Sequence, residues 1–195
     1  MGRPRSKIDR FFLTTTVLLT ATGFFIFLSA SLGLLAQSNV SFASVALKQS
    51  ISLIVGLVAF YLLSKLNYIW IRRSALFIFI GAIAINLLLF VPQLSIFHGG
   101  ASRWLDIGFV SFQPSELLKI AFIIYLAAWI YYAKDKISTF RHGLFPYLII
   151  MSILGTLLLV QSDTDTLVII GGTGVVMLFI AGLPWKHIII SGLIF

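Results

Sequence analysis

Six apolar stretches, each close to 20 residues long and parted by short polar runs, constrain this chain more than anything else in its sequence. They fall at about 11–36, 48–66, 74–91, 114–132, 144–161 and 166–183. About 20 consecutive apolar residues are what an α-helix needs to cross the hydrocarbon core of a bilayer. In that core each backbone N–H and C=O must be paired within the segment, which leaves the helix as the natural form for such runs. A seventh run, 188–195, is expected to be the incomplete start of another helix, and the chain a fragment of a longer protein. A soluble fold of 195 residues has too little interior for this sequence. Its residues are 59% hydrophobic and 10% charged, against about a quarter charged in soluble domains. The expected fold is therefore an all-α polytopic membrane protein, a single membrane domain over residues 1–195. It has six transmembrane helices and the start of a seventh.

The charges set the orientation. Eleven of the fourteen basic residues (Arg3, Arg5, Lys7, Arg10, Lys65, Arg72, Arg73, Lys134, Lys136, Arg141 and Lys186) cluster at alternate ends of the apolar runs. Lysine and arginine are retained on the cytoplasmic side of membrane proteins, so this bias predicts a cytoplasmic N-terminus. The first run exceeds the roughly 7–15 apolar residues of a signal peptide and is expected to be an uncleaved helix. A net charge of +8 would suit a nucleic-acid partner, but basic clusters flanking apolar spans are explained by insertion, and no nucleic acid is expected. With no cysteine in the chain, disulfides and thiolate metal sites are excluded. His98, His142 and His187 scatter over both faces and suggest no metal site; no cofactor is evident, and a divalent cation is left open.

Seven charges remain that insertion does not need: Lys48, Arg103 and Lys119 with Asp106, Glu116, Asp163 and Asp165, all on the external side of this topology. The densest run is Gly99–Lys119, GGASRWLDIGFVSFQPSELLK. Within it Gln113-Pro114-Ser115-Glu116 has the form of a helix start. Pro114 suits the first helical position, where a missing N–H costs nothing, and Glu116 suits the positive end of the helix dipole. Lys119 follows on the same face and can pair with Glu116. Read blandly, Glu116 is a cap, Lys119 its neutralising partner, and Trp104 beside Arg103 a membrane anchor. Read functionally, Arg103, Lys119 and Lys48 form a positive pocket for an anionic headgroup, because guanidinium forks and ammonium charges suit phosphate and pyrophosphate. Gln161–Thr166, QSDTDT, turns between two helices. Asp165 suits the N-cap position there, while Asp163 can face the external basic cluster. Gly171-Gly172-Thr173-Gly174 lies mid-helix, where close helix packing is the better reading.

The run GGASRWLDIGFVSFQPSELLKIA is similar to the signature of the SEDS family (FtsW/RodA/SpoVE), in which G-A-x-R-W…G…Q-P-S-E-x-x-K follows the third helix. Lys48-Gln49 resembles that family's Arg-Gln, with lysine for the usual arginine, and Gln161-Ser162-Asp163 resembles its Q-P-D, with both the proline and a following glycine replaced. The resemblance covers roughly Lys48 to Gly182. It implies a peptidoglycan glycosyltransferase that polymerises lipid II at the outer face of the bacterial cytoplasmic membrane, a multi-pass protein of about ten helices. The partners it implies are a class B penicillin-binding protein (a transpeptidase) and other membrane proteins of the divisome or elongasome. The family's proposed catalytic aspartate lies in an external loop after the seventh helix, so no catalytic residue is assigned here and this fragment alone is expected to be inactive. Arg103, Lys119 and Lys48 are the implied pyrophosphate-binding residues, with Glu116, Asp163, Gln113 and Trp104 in support. Tyr125–Trp129, YLAAW, and Phe112-Gln113 lie closer to the division type, FtsW-like, than to the elongation type. Two other readings compete: a transporter (flippase) of the lipid-linked precursor, and a non-enzymatic scaffold. The near absence of ionisable residues within the apolar runs favours surface chemistry over transport.

Overall fold

The computed structural model describes residues 9–35, 42–98, 101–106, 111–186 and 189. Two compact units divide the chain, Met1–Lys65 and Leu66–Phe195. Apart from Ile189, the seventh apolar run lies outside the described residues, as do Gly99, Gly100 and Ile107–Val110.

The first unit holds two helices, α1 (Arg10–Leu35) and α2 (Phe42–Ser64), packed on each other. Asp9 caps α1, its carboxylate accepting from the Phe12 N–H at 3.1 Å. The hydroxyls of Thr15, Thr16, Thr20 and Thr22 each donate to the carbonyl four residues back, at 2.8–2.9 Å. That back-bonding satisfies four polar groups without water, which lets an otherwise apolar helix present them to lipid. The helix α2 begins at Phe42, six residues before the expected start at Lys48. Residues 42–47 (FASVAL) are helical rather than part of an external loop, because they are nearly as apolar and as free of Gly and Pro as the rest of α2's first turns. Lys48 therefore sits in the second turn of α2, exposed.

The second unit is built around α5 (Pro114–Ala133). Packed on it are α3 (Tyr68–Arg73), α4 (Ala75–Leu87) and α7 (Thr164–Ile180), and α6 (Leu144–Val160) packs on α7. The core is the shared face of these helices: Phe79, Leu118, Phe122, Leu126, Tyr147, Leu154, Leu158, Ile170 and Leu178 are all buried. Their remaining faces are equally apolar; Phe77, Val168 and Ile180 stand exposed at 76%, 72% and 79%. Helices apolar on every side are stable only where the surroundings are apolar too, as in a membrane. Helices α1, α2 and α5 are long and apolar enough to cross one; α4, α6 and α7 are shorter apolar helices. The short α3, capped by Asn67 through the Ile69 N–H at 3.0 Å, occupies the stretch between the second and third expected spans.

Gly174 decides how closely α7 approaches its neighbours. A Cβ there would stand 2.5 Å from the Tyr147 ring and 3.1 Å from Phe122. The expectation that the Gly171–Gly174 run serves helix packing is met in this contact. After α4 the chain forms a small antiparallel sheet, β1 (Ser95–His98), β2 (Ala101–Asp106) and β3 (Ser111–Phe112), in that order. It is a local addition to an otherwise helical protein, where a loop was expected. Leu105 pairs with Ser95 on one side and Phe112 on the other. Such pairing satisfies backbone groups that an irregular loop at the membrane rim would leave open.

Candidate functional site at one end of the second unit

The C-terminal ends of α4 and α6, the N-terminal ends of α5 and α7, and strand β2 are tied together at one end of the unit. The sequence explains each end locally. Val91, before Pro92, is extended (φ −89°, ψ 109°) and ends the α4 run, as the steric demand of the proline ring on its predecessor requires. Pro114 occupies the first turn of α5, preceded by Gln113 in extended conformation. Asp163 caps α7, its carboxylate 3.4 Å from the Thr166 N–H.

Strand alternation sorts the residues of β2. Leu105 is buried at 6% and Arg103 is partly buried on the same face, while Trp104 points the other way and is 42% exposed. The Arg103 guanidinium donates from Nη2 to the backbone carbonyl of Ser162, in the turn joining α6 to α7. Its Nε is buried and has no partner among the described residues. Ser162 itself has φ 57°, a left-handed conformation that a proline ring forbids. The departure from a Q-P-D pattern at this position is thus matched by a backbone geometry that proline cannot adopt.

Beneath Arg103 runs a seam of buried polar side chains. The Gln161 amide donates to the backbone carbonyl of Asn86 at 3.3 Å, joining the ends of α6 and α4. Thr166 donates to Ser115 at 3.5 Å, joining α7 to α5, and the Gln113 amide donates to Ser115 at 3.0 Å. Ser115, Gln161, Asp163, Thr166 and Asn86 are each 4% exposed or less. The Asn86 side-chain amide is wholly buried, with neither its N–H₂ nor its oxygen partnered among the described residues. Along the rim, Lys119 Nζ lies 2.9 Å from Glu116 Oε1, with Glu116 58% exposed and Lys119 22%.

Of the residues singled out from sequence, Arg103, Gln113, Glu116, Lys119 and Asp163 lie at this end, on elements that pack on or hydrogen-bond to one another. Two expectations change. Asp163, not Asp165, is the cap of α7, and Arg103 is held by a backbone carbonyl rather than by the Asp163 carboxylate. Asp163 is buried and serves the helix terminus; Asp165 is exposed in the first turn. Lys48 stands in the first unit, and its part in the chemistry rests on sequence alone. Sequence reasoning missed Asn86, Thr166 and the hydroxyl of Ser115. For Asn86 a signal was available, since a lone amide in the run AIAINLLLF breaks an apolar helix for no insertional reason. Among the described residues there is no cluster of three or more His, Cys, Asp or Glu suited to a metal ion.

Over residues 9–195 the chain matches the family described as "Cell cycle protein", FtsW/RodA/SpoVE. It is 32% identical over 187 residues to the probable peptidoglycan glycosyltransferase FtsW of Geobacter sp. (strain M18), covering 95% of this chain and 51% of that protein. It is 29% identical over 186 residues to the probable peptidoglycan glycosyltransferase FtsW of Escherichia coli O6:H1, covering 95% and 44%. Its fold is similar to the crystal structure of Thermus thermophilus rod shape determining protein RodA. The TM-score is 0.74 and the identity 25%, over 96% of this chain and 58% of that one. A chain in a peptidoglycan synthase complex, solved for its coordination of polymerization and crosslinking, is similar with a TM-score of 0.67 and 25% identity, covering 87% and 50%. The chain spans about half the length of these relatives.

Proposed function

The chain belongs to the FtsW/RodA/SpoVE family, a multi-pass membrane protein with a RodA-like fold, and from that premise we propose that the protein it spans is a peptidoglycan glycosyltransferase. The substrate is lipid II, polymerised at the outer face of the bacterial cytoplasmic membrane, with a class B penicillin-binding protein as partner. Six of its helices cross the bilayer with the N-terminus inside. The eleven-to-three division of basic residues supports that orientation.

The observation that carries the reading is the seating of Arg103. Its guanidinium is fixed on one side by the Ser162 carbonyl, over a buried polar seam and on a strand packed against α5, whose first turns carry Glu116 and Lys119. Joining two lipid-linked sugars breaks the bond between the anomeric carbon and a diphosphate and forms a new bond to an acceptor hydroxyl. The hydroxyl proton goes to a base, and negative charge gathers on the leaving diphosphate. Cations placed before the reaction stabilise that charge where it develops. Arg103 and Lys119 take this role, with Glu116 orienting Lys119, and Gln113 and Asp163 holding the helix ends. Trp104, on the exposed face of β2, supports the rim at the membrane interface. No base is assigned among these 195 residues. A charge-assisted hydrogen bond contributes roughly 1.5–3 kcal/mol, so Arg103→Ala in the full-length protein is expected to slow polymerisation of labelled lipid II by about 10- to 100-fold. Glu116→Ala is expected to do so by less. Wild-type rates for both variants would sink the assignment, and translocation of lipid II without glycan chains would favour a transporter.

A further inference from the structure

At the opposite end of α5 lies a second concave site, which the transferase reading does not use. A cavity of about 270 Å³ opens between the last turn of α5, the 3-10 turn Lys134–Ser138 after it, and the start of α6. Its lining is Trp129, Tyr132, Lys136, Arg141, His142 and Pro146, with Ala133. Three basic side chains, Lys136, Arg141 and His142, and two interface aromatics therefore surround the space, and no carboxylate is among these lining residues.

Local backbone features fix that shape. Lys134 takes φ 38° and stops α5 after Ala133. Thr139 donates to the Lys136 carbonyl at 2.7 Å and lies 3.3 Å from His142 Nδ1, which holds the loop in a tight return. Gly143 lets α6 start against the carbonyls of Ile137 and Thr139, where any side chain would collide. Two neighbouring cations stand against the adjoining rings. Arg72 lies 3.9 Å from the centre of the Tyr131 ring and 5.9 Å from that of Tyr132, and Lys134 is 5.8 Å from the Tyr131 ring. Lys136 and Arg141 are exposed. The cavity falls just below the roughly 300–1,000 Å³ of drug-sized pockets, so it suits a small polar group rather than a large ligand.

We propose that this cavity is a binding site for the phosphodiester headgroup of an anionic phospholipid. Lys136 and Arg141 contact the phosphate, and Trp129 and Tyr132 lie along the glycerol and the upper acyl chains. Basic pockets between transmembrane helices, beside aromatic residues at the level of the headgroups, take such lipids by charge and by amphipathic contact together. Free phosphate shares the anionic chemistry but lacks the chains that the aromatic wall would cover. The site requires the membrane reading of the chain; it depends on neither the glycosyltransferase activity nor the orientation.

Native mass spectrometry of the full-length protein in detergent tests it, with phosphatidylglycerol, phosphatidylcholine or inorganic phosphate added. Phosphatidylglycerol adducts are expected to exceed phosphatidylcholine adducts at least fivefold. Lys136→Ser with Arg141→Ser should remove that excess, and Arg141→Lys should keep most of it. Arg73→Ser, an exposed cation outside the cavity, is the control for diffuse attraction and should leave the excess in place. Helicity and melting temperature confirm that each variant is folded. Equal adducts of the two lipids, an excess untouched by the double substitution, or a loss from Arg73→Ser as large as from the double substitution would each overturn the site. Displacement of phosphatidylglycerol by millimolar phosphate would overturn it too, assigning the cavity to the free anion instead.

Discussion

Ser162 sets the geometry around Arg103 through its backbone alone. Its φ of 57° turns its carbonyl toward Arg103, and its own N–H is held by the Leu159 carbonyl at 2.9 Å. A left-handed backbone costs a residue with a Cβ about 1–2 kcal/mol, a cost that glycine escapes. Ser162→Gly is therefore expected to keep both activity and stability, the latter within about 1 kcal/mol once the extra entropy of glycine is counted. Ser162→Pro is expected to fail on two counts, because proline fixes φ near −65° and removes the N–H. Arg103 then loses its acceptor, and polymerisation by the full-length protein should drop toward the Arg103→Ala level. If Ser162→Pro polymerised lipid II normally, the carbonyl would have no part in holding Arg103. Arg103, Glu116 and Lys119 stood out in the sequence because unneeded charge beside lipid is expensive. That the partner of Arg103 is a peptide carbonyl 59 positions away could not be read there, since any residue supplies one.

At the scale of elements, α5 and α7 show how close packing replaces the hydrophobic drive that a lipid environment lacks. Between helices surrounded by apolar tails, association rests on van der Waals contact and interhelical hydrogen bonds, and small residues permit both. Gly174 admits the rings of Tyr147 and Phe122, and the Tyr147 hydroxyl donates to the Gly171 carbonyl at 2.7 Å. Gly174→Ala places a methyl 2.5 Å from the Tyr147 ring. Overpacking of this kind costs about 1–3 kcal/mol, which a fall in melting temperature in detergent would register. Gly172, with open space where its Cβ would stand, is the matched control, and its alanine variant should melt within error of the parent or above it. An equal loss at both positions would mean that the ring contacts of Gly174 do not set the effect, since helix propensity alone favours alanine at either site. The helix positions themselves were legible, because runs of about 20 apolar residues admit few other structures. The sheet at Ser95–Phe112 was not. Its strands are only two to six residues long, and their polar residues read equally well as loop.

For the whole molecule, the proposed topology separates two polar ends, one carrying Arg103, Glu116 and Lys119, the other Arg72, Lys134, Lys136 and Arg141. The absence of cysteine from these 195 residues makes the separation measurable without background from this part of the protein. Ser111→Cys, exposed on β3, is expected to react with a membrane-impermeant maleimide in cells whose outer layers are permeable to it. Thr139→Cys, exposed beyond the end of α5, should react only after the cytoplasmic membrane is opened. The reverse pattern would invert the orientation and put the Arg103 site on the wrong side for lipid II polymerisation. Hydropathy and charge determined by themselves that this chain forms apolar membrane helices, because a bilayer penalises every other placement of such runs by several kcal/mol per unpaired group. Which polar side chains meet at the helix ends was decided only by the tertiary structure. Gln161 reaches the Asn86 carbonyl and Thr166 reaches Ser115 across 75 and 51 positions of sequence, and no local pattern encodes a contact that arises from the packing angle of helices already formed.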